Sequence, residues 1–175
     1  MMASIITVTV GDLIVIYLPL LGTERSIEVS QIGGLLTVRA AASMAARLLY
    51  SRLIVGFGRV PLLVASLMAG SAAFACIAIP MPLWLIYAAT AATGFTIGIA
   101  NTLTVTSVMA MTAAGVRATA NSLRITGNRI AQVALPFGAS LIAAIGGAAG
   151  IFVIIAASLA VSGWAVQRSR PAEGD

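Results

Sequence analysis

The chain has 175 residues, of which 60% are apolar and only 9% charged, with mean hydropathy +1.07; soluble domains carry roughly 25% charged residues. It contains ten Arg, no Lys and no His, for a net charge of +5. This excludes histidine-based zinc sites and Ser-His or Cys-His nucleophiles, and the scattered arginines form no basic face with interleaved aromatics of the kind nucleic acid requires.

The apolar stretches predict six membrane-spanning helices, each of about 20 residues. Helix 1 is expected over Ala3–Leu21. It lacks a basic leader and a small-x-small cleavage site, so it reads as a retained span rather than a signal peptide. A polar gap, Thr23–Ser30, holds Glu24, Arg25 and Glu28. Helix 2 is expected over Gln31–Leu49, with a link bracketed by Arg47, Arg52 and Arg59. Helix 3 starts at Pro61, a favourable first-turn position, and ends near Ile79; Pro80-Met81-Pro82 makes a tight hairpin.

Helix 4 is expected from Leu83 to about Thr104, with Trp84 and Tyr87 in an interfacial belt. A weakly polar stretch containing Ser107, Thr112 and Gly115 leads to Arg117. Helix 5 is expected over Thr119–Ile145, kinked at Pro136 and Gly138. The uncharged gap Gly146–Gly150 precedes helix 6, Ala149–Val166, with Trp164 at its rim. Cys76 is alone in an apolar run, which excludes a disulfide within the chain and predicts a packed thiol.

Arg-bearing links alternate with links that carry fewer arginines or none, and positive-inside bias places the former, and both termini, in the cytoplasm. The expected location is the plasma (inner) membrane, with the lipid bilayer as the surrounding partner. Small residues, including Gly94 and Gly98 at GxxxG spacing, predict close helix packing.

Charges at membrane depth cost about 2.5–3.5 kcal/mol each on insertion scales, so their positions carry information. Asp12 lies about 13 Å above the inner boundary and Arg39 about 12 Å below the outer one, at 1.5 Å per helical residue. Their depths differ by about 4 Å across a core of about 30 Å. Two readings follow: a structural or water-solvated ion pair, or a pair that couples protons or binds substrate.

On helix 5, Arg117, Asn121, Arg124, Asn128 and Gln132 fall within an arc of about 80° at 100° per residue, with Arg129 beside them. Such a stripe either lines a water-filled path or bonds a neighbouring helix. Asn101, Thr102 and Thr104 on helix 4 are weaker candidates. The substrate or proton-coupling set is thus Asp12, Arg39, Asn101, Asn128, Arg129 and Gln132, with no catalytic group, cofactor or metal expected.

The link from Arg47 to Arg59 resembles the Gly-x-Leu-x-Asp-Arg-x-Gly-Arg signature of the major facilitator superfamily. Arg52, Leu53, Gly58 and Arg59 match it, whereas Val55 and Gly56 stand where the signature has its acidic residue and an Arg. The stretch Arg117–Gln132, followed by Pro136-Phe137-Gly138, is similar to the eleventh helix of drug- and metabolite-exporting members. The resemblance implies an all-α membrane fold, the C-terminal six-helix half of such a transporter, built as two inverted three-helix repeats over residues 1–80 and 81–175.

It implies secondary active transport of a small molecule, with efflux of a drug or metabolite favoured, and Arg52, Gly58 and Arg59 as a cytoplasmic loop motif. The implied partner is a second six-helix half, which is covalent in a parent gene, separate or homodimeric. Because Met1-Met2 abuts helix 1 without a basic linker, the chain reads as part of a longer gene. The alternative functions are a non-transporting membrane scaffold or accessory subunit and, with less support, a membrane-embedded enzyme.

Overall fold

A computed structural model of the chain describes the backbone of residues 2–112 and 114–168, and the side chains of these except 2–9, 12, 111, 114 and 135–146. The described backbone is helical: α1 (Met2–Glu24), α2 (Val29–Phe57), α3 (Arg59–Ala78), α4 (Leu83–Met111), a short 3-10 turn (Ala114–Val116), and a helical stretch Arg117–Arg168 broken at Gly147. That break divides it into α5 (117–146) and α6 (Gly147–Arg168). Among the described residues α2, α3, α4 and α6 are long and apolar enough to cross a membrane, and α1 carries a shorter apolar stretch, Leu13–Glu24.

Several helices outrun the boundaries expected from sequence. The Arg47–Arg59 link is helical through Phe57, and a single residue, Gly58, turns the chain from α2 into α3. Its φ of 77° is open to glycine and strained for other residues. The Gly58 amide closes α2 on the Ile54 carbonyl at 3.0 Å, and its own carbonyl accepts the Leu62 amide at 3.3 Å. On α4 the expected polar stretch is helical to Met111, because its hydroxyls bond back within the helix. Thr112 donates to the Val108 carbonyl at 2.7 Å, as Thr102 does to the Gly98 carbonyl at 2.9 Å and Thr106 to the Thr102 carbonyl at 3.0 Å. The backbone stays helical through Pro136 and Gly138, whose side chains lie outside the described residues, and the break falls at Gly147 (φ 63°).

Cross-links between helix ends define how the helices alternate. At the end of α1, the Glu24 carboxylate accepts the Ala148 amide at the start of α6, at 3.2 and 3.3 Å. The adjacent Arg25 donates from Nη2 to the Ala78 carbonyl at the end of α3, at 2.8 Å. An anion thus sits on a helix N-terminus and a cation on a C-terminus, each favourable to the local helix dipole. Tyr87, near the start of α4, donates to the Gln31 carbonyl near the start of α2 at 3.0 Å, so it links two helices instead of serving only as a belt residue. At the other end of the bundle, the Tyr50 and Thr106 hydroxyls join α2 to α4 at 2.8 Å. The ends of α1 and α3 and the starts of α2, α4 and α6 therefore share one face, as short links between consecutive antiparallel helices require.

Burial lowers the affinity of the Arg25 guanidinium for its proton, an effect partly countered by neighbouring Glu24. An arginine remains cationic at neutral pH through such a shift, so the bond to α3 keeps its charge.

The main core joins α1, α3 and α6 through buried Ile14, Leu18, Leu67, Phe74, Phe152 and Leu159. The Phe74 and Phe152 rings stack at 6.2 Å between centroids. A smaller cluster, Ala46, Leu62, Ile99 and Leu103, fills the space among α2, α3 and α4. The α2 and α4 backbones cross closely. A methyl group at Gly94 would collide with the Arg39 carbonyl, and one at Gly98 would stand 2.9 Å from the Ser43 carbonyl. The GxxxG spacing thus brings two backbones together, which in lipid replaces the hydrophobic drive between helices.

Cys76, expected to be packed, is exposed on α3. Lipid solvates an apolar side chain as well as a core does, so hydrophobicity in a membrane helix does not indicate which face is buried. Trp84 is likewise exposed. At the opposite rim the Arg168 guanidinium lies 3.9 Å above the Trp164 ring, a cation–π contact.

Candidate functional site

Two clefts share one wall residue. The larger, about 530 Å³, is lined by Gly11 and Val15 of α1, by Arg39, Ala40, Ser43, Met44 and Arg47 of α2, and by Ile97 and Asn101 of α4. The smaller, about 210 Å³, is bounded by Asn101 and by Arg124, Ile125, Asn128, Arg129 and Gln132 of α5. Asn101 therefore stands at the junction, and no side chain of α3 or α6 lines either space.

Helical periodicity builds the α2 wall. Arg39, Ser43 and Arg47 recur every four residues and so advance only about 40° at each step, presenting two guanidiniums and a hydroxyl along one side of the cleft. The Gly94 and Gly98 contacts hold this stretch of backbone against α4. Arg39 reaches across to α1, where Nη2 donates to the Gly11 carbonyl at 2.6 Å. This places its charged end level with the residue before Asp12; the Asp12 side chain lies outside the described residues.

The α5 wall follows the predicted stripe. Arg129 donates from Nη1 to Gln132 Oε1 at 2.9 Å, and Arg124 from Nε to Asn121 Oδ1 at 3.4 Å. Asn128 is 7% exposed, and its Oδ1 is buried without a hydrogen-bond partner. Arg117, the remaining member of the stripe, is exposed and donates to the Thr112 carbonyl at 3.1 Å, outside the groove.

Of the residues expected from sequence, Arg39, Asn101, Asn128, Arg129 and Gln132 are gathered at the two clefts. Thr102 and Thr104 are not, since their hydroxyls bond carbonyls of their own helix. Arg52 and Arg59 are exposed on either side of the Gly58 turn, away from both clefts. Arg124 reaches the smaller cleft as a member of the predicted stripe, whereas Arg47 was legible only as a charge near a helix margin. Arg47 joins the cleft because α2 runs ten residues past it, about 15 Å. The signal was its four-residue spacing from Ser43 and Arg39.

The described lining of both clefts contains four arginines, polar amides and one serine, without a carboxylate. Among the described residues no three His, Cys, Asp or Glu side chains gather in a way that could hold a metal ion. The arrangement suits reversible binding of a polar or anionic solute.

Apolar helices enclosing such polar clefts define a multi-pass α-helical membrane protein. The chain matches the Major Facilitator Superfamily over residues 1–174 and belongs to that family. This identifies a membrane transporter acting on small molecules, in a family whose members are transporters rather than enzymes. Neither the curated proteins nor the solved structures provide a match to the chain.

Proposed function

We propose that the chain forms one six-helix half of a secondary active transporter and works against a second six-helix bundle, with efflux of a drug or metabolite as its direction. The observation that carries this reading is the placement of both polar clefts on α1, α2, α4 and α5, with Asn101 at their junction. Polar side chains at membrane depth persist where they line a water-filled path or meet another polar surface. A second bundle facing this wall would complete the path, and rocking of one half against the other would expose it to each side in turn.

Residues 1–80 and 81–175 form the two inverted repeats of this half. The packing of α3 against α6 supports that division, since both are third helices of their repeats. Both termini, the Gly58 turn and the α4–α5 link face the cytoplasm, while Glu28 and the Pro80–Pro82 hairpin face outward, as positive-inside bias requires. The membrane is the plasma (inner) membrane. Asp12 and Arg39 serve proton coupling or substrate binding, and the exposed Arg52 and Arg59 flank the cytoplasmic turn.

Reconstitution tests this reading. Proteoliposomes containing the chain alone should show no saturable uptake of a panel of fluorescent drugs and organic acids. Those containing the chain with the N-terminal half of an exporting family member should show saturable, gradient-dependent flux. Saturable flux from the chain alone would contradict the requirement for a distinct second half, and absence of flux in every pairing would contradict the transport role.

A further inference from the structure

We infer that the α4–α5 groove recognises a small organic anion carrying a hydrogen-bond donor close to its carboxylate, as in a hydroxy acid. This rests on the transport reading and specifies the substrate class of the same site. Three observations converge. Arg124 and Arg129 bring two guanidiniums to a groove of about 210 Å³ whose described lining contains no carboxylate. A guanidinium binds a carboxylate through charge-assisted hydrogen bonds, which are stronger than neutral ones.

The second observation is Asn128. Its side chain is 7% exposed, lines the groove, and holds Oδ1 buried without a partner. A buried amide acceptor left unpaired destabilises the fold that contains it. Rotation of the Asn128 amide toward the groove would present this oxygen to a ligand hydroxyl or ammonium group beside the carboxylate. The groove therefore asks for an anion and a donor together.

The third observation is continuity. Asn101 borders both the groove and the larger cleft, whose walls include Val15, Ala40, Met44 and Ile97. An anionic head in the groove leaves an apolar body to extend along that side. Arg129 is exposed and bonds Gln132, its neighbour one turn on, so it can turn toward a ligand without disturbing the core.

Three aromatic compounds separate these contributions: mandelate has both anion and hydroxyl, phenylacetate lacks the hydroxyl, and mandelamide lacks the charge. Binding is measured by calorimetry and ligand-observed NMR on the full chain in phosphatidylcholine nanodiscs, then repeated with one-third phosphatidylglycerol. Mandelate should bind about tenfold more tightly than mandelamide and about fivefold more tightly than phenylacetate, the scales of a charged and a neutral hydrogen bond. Arg129→Gln should remove the preference for mandelate over mandelamide, and Arg129→Lys should restore part of it. Asn128→Ala should erase the preference for mandelate over phenylacetate while leaving thermal stability unchanged or raised.

Equal binding of mandelate and mandelamide, or a mandelate affinity indifferent to Arg129→Gln in a folded chain, overturns the inference. So does Arg129-dependent retention of phosphatidylglycerol without mandelate binding, which would assign the groove to lipid headgroups. Transport is judged separately. Flux of neutral compounds through the assembled protein with no Arg129-dependent mandelate binding rejects the anion and keeps the transporter, whereas Arg129-dependent binding in a protein that never supports flux does the reverse.

Discussion

Gly94→Val is expected to abolish recovery of folded protein, whereas Gly33→Ala, on the neighbouring helix, should leave it intact. At position 94 even a methyl group meets the carbonyl of Arg39. The obstacle is backbone and cannot rotate away, so α2 and α4 would have to separate where they cross. Overpacking typically costs about 1–3 kcal/mol, and more where backbones must move; a membrane protein has no hydrophobic collapse with which to recover the lost contact. Gly33 has nothing within 4 Å of the added carbon, and alanine is the better helix former there. The measurement is the fraction of each variant extracted in mild detergent that elutes as a single species. Normal recovery of Gly94→Val would remove the α2–α4 crossing from the account of the fold.

The second large effect concerns Asp12 and Arg39 in the assembled transporter. Arg39 lines the larger cleft and reaches the Gly11 carbonyl at 2.6 Å, next to Asp12 in the chain. If Asp12 carries the coupling proton, Asp12→Asn should eliminate accumulation driven by a proton gradient while downhill exchange of substrate continues. Arg39→Gln should lower both. If the two charges serve only the structure, each single change leaves the other charge without its counterpart, at about 3–5 kcal/mol for a broken buried pair. The double change would then restore folded protein and transport together. Expression and both modes of transport, measured in the two singles and the double, separate these outcomes. Normal expression and normal proton-driven transport in all three would leave neither charge with a role.

The number of helices and their alternation were legible because apolar stretches long enough to span a bilayer were separated by Arg-bearing, proline-marked or glycine-marked links, and each feature has a direct physical cause. Helix ends were less legible. Thr102 and Thr106 look polar in sequence but satisfy themselves on carbonyls one turn back, and the charged residues after Leu49 remain helical because water and headgroups accommodate them. Burial was least legible, as Cys76 shows, since lipid and protein interior offer an apolar side chain the same reward.

The α5 side of the site was readable from its 100° periodicity, and Asn128, Arg129 and Gln132 do share a groove. Asn101 ranked among the weaker candidates because one amide in a Thr-rich helix resembles packing. Its position between two clefts depends on how α4 crosses α2 and faces α5, which no local pattern encodes. The GxxxG spacing announced a close contact without naming the partner backbone.

The most direct test of alternating access is the reactivity of a cysteine at position 101 in the assembled transporter, after Cys76 is replaced by Ser. An impermeant thiol reagent is applied to right-side-out and inside-out vesicles, with and without a proton gradient and transported substrate; single cysteines at Glu28 and Ser51 serve as side markers. Position 28 should react only from outside and position 51 only from the cytoplasm. Position 101 should react from either side, with the favoured side reversing as the gradient reverses and with protection by substrate. Reaction at position 101 confined to one side under every condition, with no protection, would contradict the account.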